Sequence, residues 1–292
     1  MRDYGEGQGR PVLFVPSLVN RAYILDLSER RSFLRWLAGQ GLRPLLLDWG
    51  EPGEAERRFD LSDYIAGRLV RALDAMVALT GGPMPMVGYC MGGLLAVAAA
   101  ERRPAAVTAI TALATPWDFH TDDAEQVRLK AALITALRPW LSLWGEMPVD
   151  MLQALFTSLD PLLAAKKFTA FGRFDTSSRR AVDFVALEDW LNDGVPLPIG
   201  VAIECIGGWY GDNSPARGAW QISGRPVRPE RIAVPSLHVI PSQDRIVPPE
   251  SARALAAATT DVSVNKILPD AMDRTVASQV AKAVAEAAKA EG

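Results

Sequence analysis

One cysteine lies within a short glycine-rich motif, Gly-Tyr-Cys-Met-Gly-Gly at residues 88–93. An apolar run at residues 84–87 precedes the motif and an alanine-rich run at residues 94–100 follows it, which predicts a sharp turn between a strand and a helix. A nucleophile in such a turn adopts a strained backbone conformation that requires small neighbouring residues. The motif therefore predicts a nucleophile elbow that presents the thiol of Cys90 for covalent acyl chemistry.

The helix that follows the motif sets the electrostatic environment of this thiol. Free N–H groups and the partial positive charge at a helix N-terminus stabilise a thiolate, and they can donate hydrogen bonds to a developing oxyanion. We therefore expect the pKa of the Cys90 thiol to lie below its ordinary value.

Catalysis at such an elbow also requires an acid and a base, which later loops supply in the order nucleophile, acid, histidine. Asp244 follows the apolar run at residues 234–240 and precedes a helical pattern at residues 251–258, so it lies where the orienting acid belongs. The alternative is a turn or helix-cap residue, which is the common role of an aspartate at the end of a strand. Together with the elbow, its position makes Asp244 the predicted acid.

The base is harder to assign, because the chain has only two histidines. The loop after the predicted last strand, residues 268–274, contains neither of them. His238 lies inside the predicted strand at residues 234–240, and we interpret it as a structural residue. His120 follows an earlier strand and can approach Cys90 from the side of the lid, so it is the candidate base. The alternative for His120 is a solvated loop residue.

The composition limits the classes of function. With 292 residues, of which 49% are hydrophobic and 22% are charged, the chain can form one large α/β domain with a lid or two modest domains. The net charge is −3, and the lysines and arginines are scattered along the chain. We therefore expect no nucleic-acid partner.

The cysteine count and the apolar runs exclude further classes. The chain has two cysteines, without metal-ligand spacing, and it has no phosphate-binding glycine loop outside the elbow. We expect no disulfide framework, no metal and no bound cofactor. No uncharged apolar run reaches the roughly 18 residues of a transmembrane helix. The expected location is the cytoplasm.

Short apolar runs alternate with helical patterns along the first 115 residues and again after residue 230. Such runs are typical of parallel strands buried on both faces, so the alternation predicts an α/β fold with a doubly wound, mostly parallel sheet. The predicted strands are residues 11–15, 44–48, 84–87, 107–113, 234–240 and 262–268. The predicted helices are residues 27–39, 61–79, 251–258 and 273–289, with Ser62 as the N-cap of the second.

The alternation is absent from residue 116 to residue 229, which predicts a helical lid inserted between later strands. The domain prediction is therefore a core formed by residues 1–115 and 230–292 and a lid formed by residues 116–229. Six tryptophans of this segment either line an apolar acyl channel above the thiol or pack as the lid's own core. They are Trp117, Trp140, Trp144, Trp190, Trp209 and Trp220.

Together, these motifs match the sequence patterns of a known enzyme family. The chain resembles the polyhydroxyalkanoate synthases, which include the poly-3-hydroxybutyrate synthases, and in particular their shorter forms. The matching segments are residues 18–27, 46–50, 88–93 and 244–249. Weaker likeness at residues 187–190 and 209–213 extends the resemblance from about residue 11 to residue 250, and the last forty or so residues do not share it.

The resemblance implies an α/β-hydrolase fold and a Cys–His–Asp triad that transfers 3-hydroxyacyl groups from coenzyme A thioesters to a growing polyester. It implies Cys90 as the acyl carrier and Asp244 as the acid. It also implies two oxyanion donors, the backbone N–H of Met91 and an N–H of the turn after the first strand. That turn comprises Leu18, Val19 and Asn20.

The family's base has no counterpart in this chain. Such synthases carry the histidine in a Gly-His pair of the final loop, where this chain has Met272 or Asp273. Cys90 could still attack a thioester, because a few per cent of an ordinary thiol is ionised at neutral pH. Deacylation or chain extension must activate a water or a hydroxyl, and loss of a positioned base slows such a step by about 10²- to 10⁴-fold.

Three functions therefore remain open from the sequence. The first is a synthase-like acyltransferase that acts on 3-hydroxyacyl-CoA, with His120 or another lid group in place of the missing base. The second is a thioesterase or esterase of the same fold, in which water replaces the polymer hydroxyl. The third is a catalytically impaired relative that binds acyl chains, polyester or a partner. Coenzyme A is expected only as a substrate carrier, and a second copy of the chain and a polyester granule surface are candidate partners.

Overall fold

The central sheet is built from short runs of buried apolar residues. In the computed structural model, which describes residues 1–158, 162–244, 246–259 and 262–263, the described part of this sheet has seven strands. They are β1 (Arg2–Asp3), β2 (Arg10–Val15), β3 (Leu42–Leu46), β4 (Met84–Tyr89), β5 (Val107–Leu113), β6 (Ser236–Val239) and β7 (Val262–Ser263).

The strands pair in the order β1-β3-β2-β4-β5-β6-β7. β1 pairs with β3 in antiparallel fashion, and the other described pairings are parallel. Leu13 and Val15 of β2 belong to the larger apolar core, whereas Val12 and Phe14 belong to a second core. Successive residues of a strand point to opposite faces of its sheet, so both faces of this sheet are buried. The predicted doubly wound, mostly parallel fold is confirmed.

The described residues form ten α-helices. They are α1 (Phe33–Gly39), α2 (Val70–Thr80), α3 (Met91–Arg102), α4 (Ala124–Ala136), α5 (Arg138–Trp144), α6 (Val149–Thr157), α7 (Leu163–Phe171), α8 (Arg179–Asn192), α9 (Ile199–Ile203) and α10 (Pro249–Ala258). Two π-helices cover Asp63–Leu69 and Glu204–Gly211, and short 3-10 turns cover Ala22–Leu25, Glu56–Arg58, Pro104–Ala106 and Pro229–Arg231.

Three small two-stranded sheets complete the described part of the chain. They pair Asp26–Ser28 with Arg31–Ser32, Glu146–Met147 with Leu197–Pro198, and Gln221–Ile222 with Arg225–Pro226.

Two of the predicted helices differ from the structure at their N-terminal ends. The helix predicted at residues 27–39 begins only at Phe33, because the residues before it form a hairpin and Ser32 caps the helix by accepting a hydrogen bond from the Arg35 N–H. The prediction of Ser62 as an N-cap is wrong. Its side chain makes no capping hydrogen bond, and its Oγ instead accepts from the N–H of Ser223 at 2.8 Å.

Six α-helices, α4 to α9, and the π-helix Glu204–Gly211 lie between β5 and β6 in the described chain. This is the segment predicted as a lid, although its division from the core at residues 116–229 stays a prediction. The predicted strand at residues 262–268 is described only at Val262–Ser263. The predicted final loop, residues 268–274, and the predicted last helix, residues 273–289, lie outside the described residues.

The tryptophans of this segment fall into two groups. Trp140 and Trp144 of α5 are 69% and 63% exposed. The other four are buried and belong to the packed interior: Trp117, Trp190, Trp209 and Trp220. Trp117, Trp209 and Trp220 belong to the larger apolar core, which also contains residues of β2, β4 and α3, so they do not form a separate core of the lid.

His238 lies in β6 and is 3% exposed. Its Nε2 atom lies 3.3 Å from the Ser236 Oγ and 3.1 Å from the Thr259 Oγ1. Burial lowers the pKa of His238 to about 4, so the folded protein keeps the ring neutral where an unfolded chain, with a pKa of about 6.5, is protonated.

Because the unfolded state binds a proton that the folded state excludes, stability falls as the pH drops from 6.5 towards 4. We expect His238 to account for about 2–3 kcal/mol of the loss between pH 7.5 and pH 4.5. Urea unfolding of the wild type and of His238→Gln at the two pH values measures this contribution. An equal pH dependence in the two proteins would contradict it.

Candidate active site

The elbow predicted from the glycine-rich motif is present at the junction of β4 and α3. Cys90 has φ 54° and ψ −124°, a conformation that non-glycine residues rarely adopt. Its N–H donates to the carbonyl of Leu113 at the end of β5 at 2.8 Å, and its own carbonyl accepts from the Gly93 N–H at 3.0 Å. These bonds hold the strained residue at the carboxyl edge of the sheet.

Two glycines permit this geometry. A Cβ atom on Gly88 would lie 2.3 Å from the Cα of Gly93, and a Cβ atom on Gly92 would lie 2.0 Å from the carbonyl oxygen of Val15. Both distances are far below van der Waals contact. A larger residue at position 88 would displace the start of α3, and one at position 92 would separate the elbow from the end of β2. The spacing of glycines in the sequence therefore follows from backbone-to-backbone packing.

The thiol of Cys90 lies against Ile240, Val247 and Ala252. Burial raises its pKa to about 11, the Met91 N–H that bonds to the sulfur lowers it, and the charge of Asp244 raises it. The expectation of a lowered thiol pKa is therefore wrong, because loss of hydration outweighs the helix N-terminus. At neutral pH the group is a thiol, so attack on a carbonyl requires an acceptor for its proton.

Asp244 lies near the nucleophile and also shapes its own loop. Its Oδ1 accepts hydrogen bonds from the N–H groups of Ile246 at 2.9 Å and Val247 at 3.0 Å, just before α10. The Asp244 charge contributes to the raised pKa values of both Cys90 and Tyr89, so its field reaches the thiol. The structure thus brings Asp244 and Cys90 together, and the role of Asp244 as the acid stays a prediction.

His120 is bonded within the lid segment. Its Nε2 lies 2.7 Å from the carbonyl oxygen of Tyr210, and its Nδ1 lies 3.4 Å from Nη2 of Arg128. An arginine can only donate, so Nδ1 accepts and Nε2 carries the hydrogen that goes to Tyr210. Both ring nitrogens are thus occupied, and these bonds must break before His120 can accept a proton from Cys90. Its role as the base stays a prediction.

The turn after β2 offers backbone donors next to the elbow. The N–H of Val19 donates to the Ser17 Oγ at 3.1 Å, and the Val19 carbonyl accepts from Val195 at 3.1 Å. The N–H groups of Leu18 and Asn20 have no protein acceptor among the described residues. The Leu18 N–H is thus available to a ligand, whereas the Met91 N–H bonds to the Cys90 sulfur. The assignment of Met91 and of the turn at Leu18, Val19 and Asn20 as oxyanion donors stays a prediction.

Two tyrosines near the thiol were not predicted as site residues. Burial raises the pKa of Tyr210, and the charge of Cys90 raises it further, which locates this ring close to the nucleophile. Tyr210 lies on the π-helix Glu204–Gly211, 4.8 Å from the ring of Phe119 between centroids. Burial likewise raises the pKa of Tyr89. The weak resemblance at residues 209–213 is the sequence signal that pointed to Tyr210.

A partly buried glutamate links the same π-helix to the core. The Glu204 Oε1 accepts from the N–H of Leu61 at 3.1 Å. Burial raises the pKa of Glu204 to about 7, and the nearby charges of Asp60 and Asp63 raise it as well. No motif identifies this residue, because its pKa depends on neighbours that are distant in sequence.

Within the described ranges, no group of three or more His, Cys, Asp or Glu side chains is arranged to hold a metal ion. None of the described helices is long and apolar enough to cross a membrane.

Comparison with known sequences places these features in a family. The pattern of the family described as alpha/beta hydrolase fold matches residues 10–271. The chain is 29% identical over 263 residues to the poly(3-hydroxyalkanoate) polymerase subunit PhaC of Allochromatium vinosum, covering 87% of this chain and 72% of that protein. It is 28% identical over 246 residues to the subunit of the same name from Haloferax mediterranei, covering 83% of this chain and 50% of that protein.

The chain thus spans about half to three quarters of these relatives' lengths. The resemblance to the polyhydroxyalkanoate synthases is confirmed.

Solved structures show the same fold at low identity. An esterase from Exiguobacterium antarcticum superposes with a TM-score of 0.59 at 13% identity, covering 99% of this chain and 94% of the other. A putative non-heme bromoperoxidase from Mycobacterium tuberculosis superposes with a TM-score of 0.57 at 19% identity, covering 98% and 95%. The expected α/β-hydrolase fold is confirmed by these matches.

The raised thiol pKa predicts slow alkylation of Cys90. Because only the thiolate reacts, we expect the rate with iodoacetamide to rise about tenfold per pH unit between pH 7 and pH 10. Asp244→Asn removes a negative charge near the sulfur, so it is expected to react faster than the wild type at pH 8. Cys90→Ala reports the background from Cys205, whose pKa burial also raises. A rate that stops rising below pH 9 would show that the pKa of the Cys90 thiol lies below 9, which would contradict the value of about 11.

The raised pKa of Glu204 predicts a stability change of opposite sign to that of His238. The folded state holds a proton on Glu204 up to about pH 7, whereas an unfolded glutamate loses it near pH 4.5, so stability falls as the pH rises through this window. Glu204→Gln keeps the acceptor for the Leu61 N–H and removes the charge. We expect it to be more stable than the wild type at pH 8 by about 1–2 kcal/mol, allowing for partial solvent exposure.

Unfolding in urea at pH 8 and at pH 5 measures the difference between the two proteins, which should nearly vanish at pH 5. Glu250→Gln, on the exposed side of α10, is the matched control. Equal stability of Glu204→Gln and wild type at pH 8 would contradict the argument.

Proposed function

Because the chain belongs to the alpha/beta hydrolase fold family, we propose that it is a polyhydroxyalkanoate synthase-like acyltransferase that uses Cys90 on 3-hydroxyacyl-CoA thioesters. The observation that carries the proposal is a cysteine in the strained elbow position, at φ 54°, in a chain similar to poly(3-hydroxyalkanoate) polymerase subunits. A thioester is the substrate that suits a sulfur nucleophile, because thiol–thioester exchange replaces one carbon–sulfur bond with another.

In the first half-reaction, the sulfur of Cys90 attacks the thioester carbonyl. The carbonyl oxygen takes up negative charge and accepts hydrogen bonds from the N–H groups of Met91 and Leu18. The tetrahedral intermediate then breaks its bond to the coenzyme A sulfur. Coenzyme A leaves as a thiol with the proton that Cys90 has given up, and the 3-hydroxyacyl group remains on Cys90.

In the second half-reaction, a 3-hydroxyl group attacks the acyl-cysteine and forms an ester, and the thiol of Cys90 takes back a proton. A base that removes the hydroxyl proton accelerates this step by about 10²- to 10⁴-fold. His120 is the proposed base, after its ring leaves the Tyr210 carbonyl. Asp244 is the proposed acid, and its charge stabilises the positively charged imidazolium that results.

One observation favours a second candidate, a catalytically impaired relative that binds acyl chains, polyester or a partner. Both ring nitrogens of His120 are occupied within the lid, and His238 is bonded inside the core. With neither histidine bonded to the thiol among the described residues, acyl transfer would end at the acyl-cysteine. A thioesterase or esterase differs from the synthase only in the final acceptor, which is water instead of a hydroxyl group. Identification of the product therefore distinguishes the two activities.

Incubation with 3-hydroxybutyryl-CoA, followed by released coenzyme A and the intact mass of the protein, tests these functions together. We expect continuous release and a polyester product, both abolished in Cys90→Ala. Cys205→Ala, at the other cysteine, is the matched control and should retain activity. His120→Gln should form the first acyl adduct and then release coenzyme A about 10²- to 10⁴-fold more slowly.

Other outcomes select among the alternatives. Free 3-hydroxybutyrate as the product would indicate a thioesterase. One equivalent of coenzyme A with a single adduct on Cys90 would indicate the impaired relative. The absence of any adduct and any release would contradict covalent catalysis by Cys90.

A further inference from the structure

An exposed apolar stripe runs along α4, α5 and their junction, within the lid segment. Six of the fifteen large apolar side chains that the described residues expose lie there, and each of the six is between 42% and 78% exposed. Soluble proteins ordinarily expose such side chains singly, so a group of this size indicates a contact surface. The apolar stripe consists of Leu129, Leu133, Leu137, Trp140, Leu143 and Trp144.

Helical spacing places all of these side chains except Leu143 on one face. The five follow one another at steps of four, four, three and four residues, and such steps keep side chains on the same side of a helix. α5 follows α4 almost without interruption, because the N–H groups of Trp140 and Leu141 both donate to the Leu137 carbonyl at 3.0 Å. At 1.5 Å per residue, the apolar stripe is about 22 Å long.

The opposite face of the two helices packs against the rest of the protein. Ala131 of α4 and Leu141 of α5 are buried. A Cβ atom on Gly211 would lie 3.5 Å from the Cβ of Ala131, so α4 contacts the π-helix Glu204–Gly211. None of the six side chains of the apolar stripe belongs to an apolar core of the described residues. The stripe therefore faces away from the packed interior.

The charged residues of this part of the chain are all positive. Residues 126–145 include Arg128, Lys130 and Arg138 and no acidic residue, although the whole chain has a net charge of −3. Nη2 of Arg128 lies 3.4 Å from Nδ1 of His120, and the Lys130 ammonium donates to the Ser158 carbonyl at 3.0 Å. Neither contact neutralises a cation. An apolar helix face accompanied by cations is typical of helices that lie in the headgroup region of a lipid surface.

The same charges disfavour two other occupants of the apolar stripe. A second copy of the chain would bring the cations of two stripes together, and like charges across a contact are unfavourable. A neutral polymer surface offers these cations no counter-charge. An anionic lipid surface satisfies both parts of the stripe, because its phosphates pair with cations and its acyl chains accept leucine. Tryptophan suits the boundary between the two layers, since its ring is apolar and its N–H is polar.

We propose that the apolar stripe of α4 and α5 binds the surface of an anionic phospholipid bilayer. The two helices lie parallel to the surface, with Trp140 and Trp144 about 5–10 Å deep at the boundary of headgroups and acyl chains. Arg128 and Arg138 pair with lipid phosphates. The inference goes beyond the proposed function and does not depend on acyl transfer by Cys90.

Flotation of the full-length protein with unilamellar vesicles tests the proposal. The wild type should bind vesicles that contain phosphatidylglycerol and phosphatidylcholine, and it should bind pure phosphatidylcholine vesicles about tenfold more weakly. Roughly 0.5 M sodium chloride should release most of the bound protein, because it screens the attraction between cations and phosphates. Equal binding to both kinds of vesicle, or binding to neither, would overturn the proposal.

The apolar part of the contact is tested by Trp140→Gln combined with Trp144→Gln. We expect the partition coefficient on phosphatidylglycerol vesicles to fall by about 10- to 100-fold, because two large apolar side chains no longer leave water. Trp36→Gln combined with Leu79→Gln, at exposed positions of α1 and α2, is the matched control and should bind like the wild type. Thermal unfolding verifies that each variant is folded. Unchanged binding by the double tryptophan variant would contradict the inference.

The electrostatic part is tested by Arg128→Gln combined with Arg138→Gln. We expect binding to phosphatidylglycerol vesicles at low salt to weaken by about fivefold for each cation. Arg30→Gln combined with Arg71→Gln removes the same charge at exposed positions outside α4 and α5, and it should weaken binding by less than about twofold. Equal losses in the two double variants would show that the net charge of the protein, and not the apolar stripe, determines binding.

Two further measurements identify the occupant. Light scattering that shows a dimer in the wild type and a monomer in the double tryptophan variant would assign the stripe to a second copy and overturn the proposal. Adsorption to lipid-free poly-3-hydroxybutyrate particles, without binding to vesicles, would also overturn it. Cys90→Ala should bind vesicles like the wild type, so a protein without acyl-transfer activity still tests the lipid contact.

Discussion

The contact between the backbone of Gly92 and the end of β2 is the constraint on which the site depends. It holds the start of α3 so close to the Val15 carbonyl that a single added carbon would lie 2.0 Å away. This contact and the hydrogen bond from Cys90 to Leu113 together maintain a backbone conformation that costs about 1–3 kcal/mol. Without it, the start of α3 and the end of β2 would separate.

The same packing keeps the thiol of Cys90 protonated at neutral pH. Burial against Ile240 and Val247 removes water from the thiol and raises its pKa to about 11, although a helix begins at the next residue. A thiol that stays protonated resists oxidation and alkylation, because the thiolate is the reactive form. The segment between β5 and β6 carries both Tyr210 and the His120 ring that is bonded to its carbonyl.

The π-helix Glu204–Gly211 is linked to the core by a carboxyl group whose negative charge is unfavourable at its position. Glu204 binds the Leu61 N–H next to Asp60 and Asp63, so its pKa is raised to about 7. Protonation of this carboxyl removes a charge that burial disfavours, whereas the hydrogen bond from the Leu61 N–H favours the ionised form.

The sequence by itself determined the features that depend on neighbouring residues. Glycine spacing around Cys90 predicted the elbow, because its backbone geometry requires small neighbouring residues. Short apolar runs predicted the parallel strands, because strands buried on both faces need apolar residues at successive positions. The tertiary structure alone decided the features that depend on distant segments. Ser62 contacts Ser223 instead of capping its helix, and the residues before Phe33 form a hairpin. The raised pKa of the Cys90 thiol also depends on distant segments, because residues from different loops reduce the hydration of the sulfur. No local sequence pattern predicts such packing.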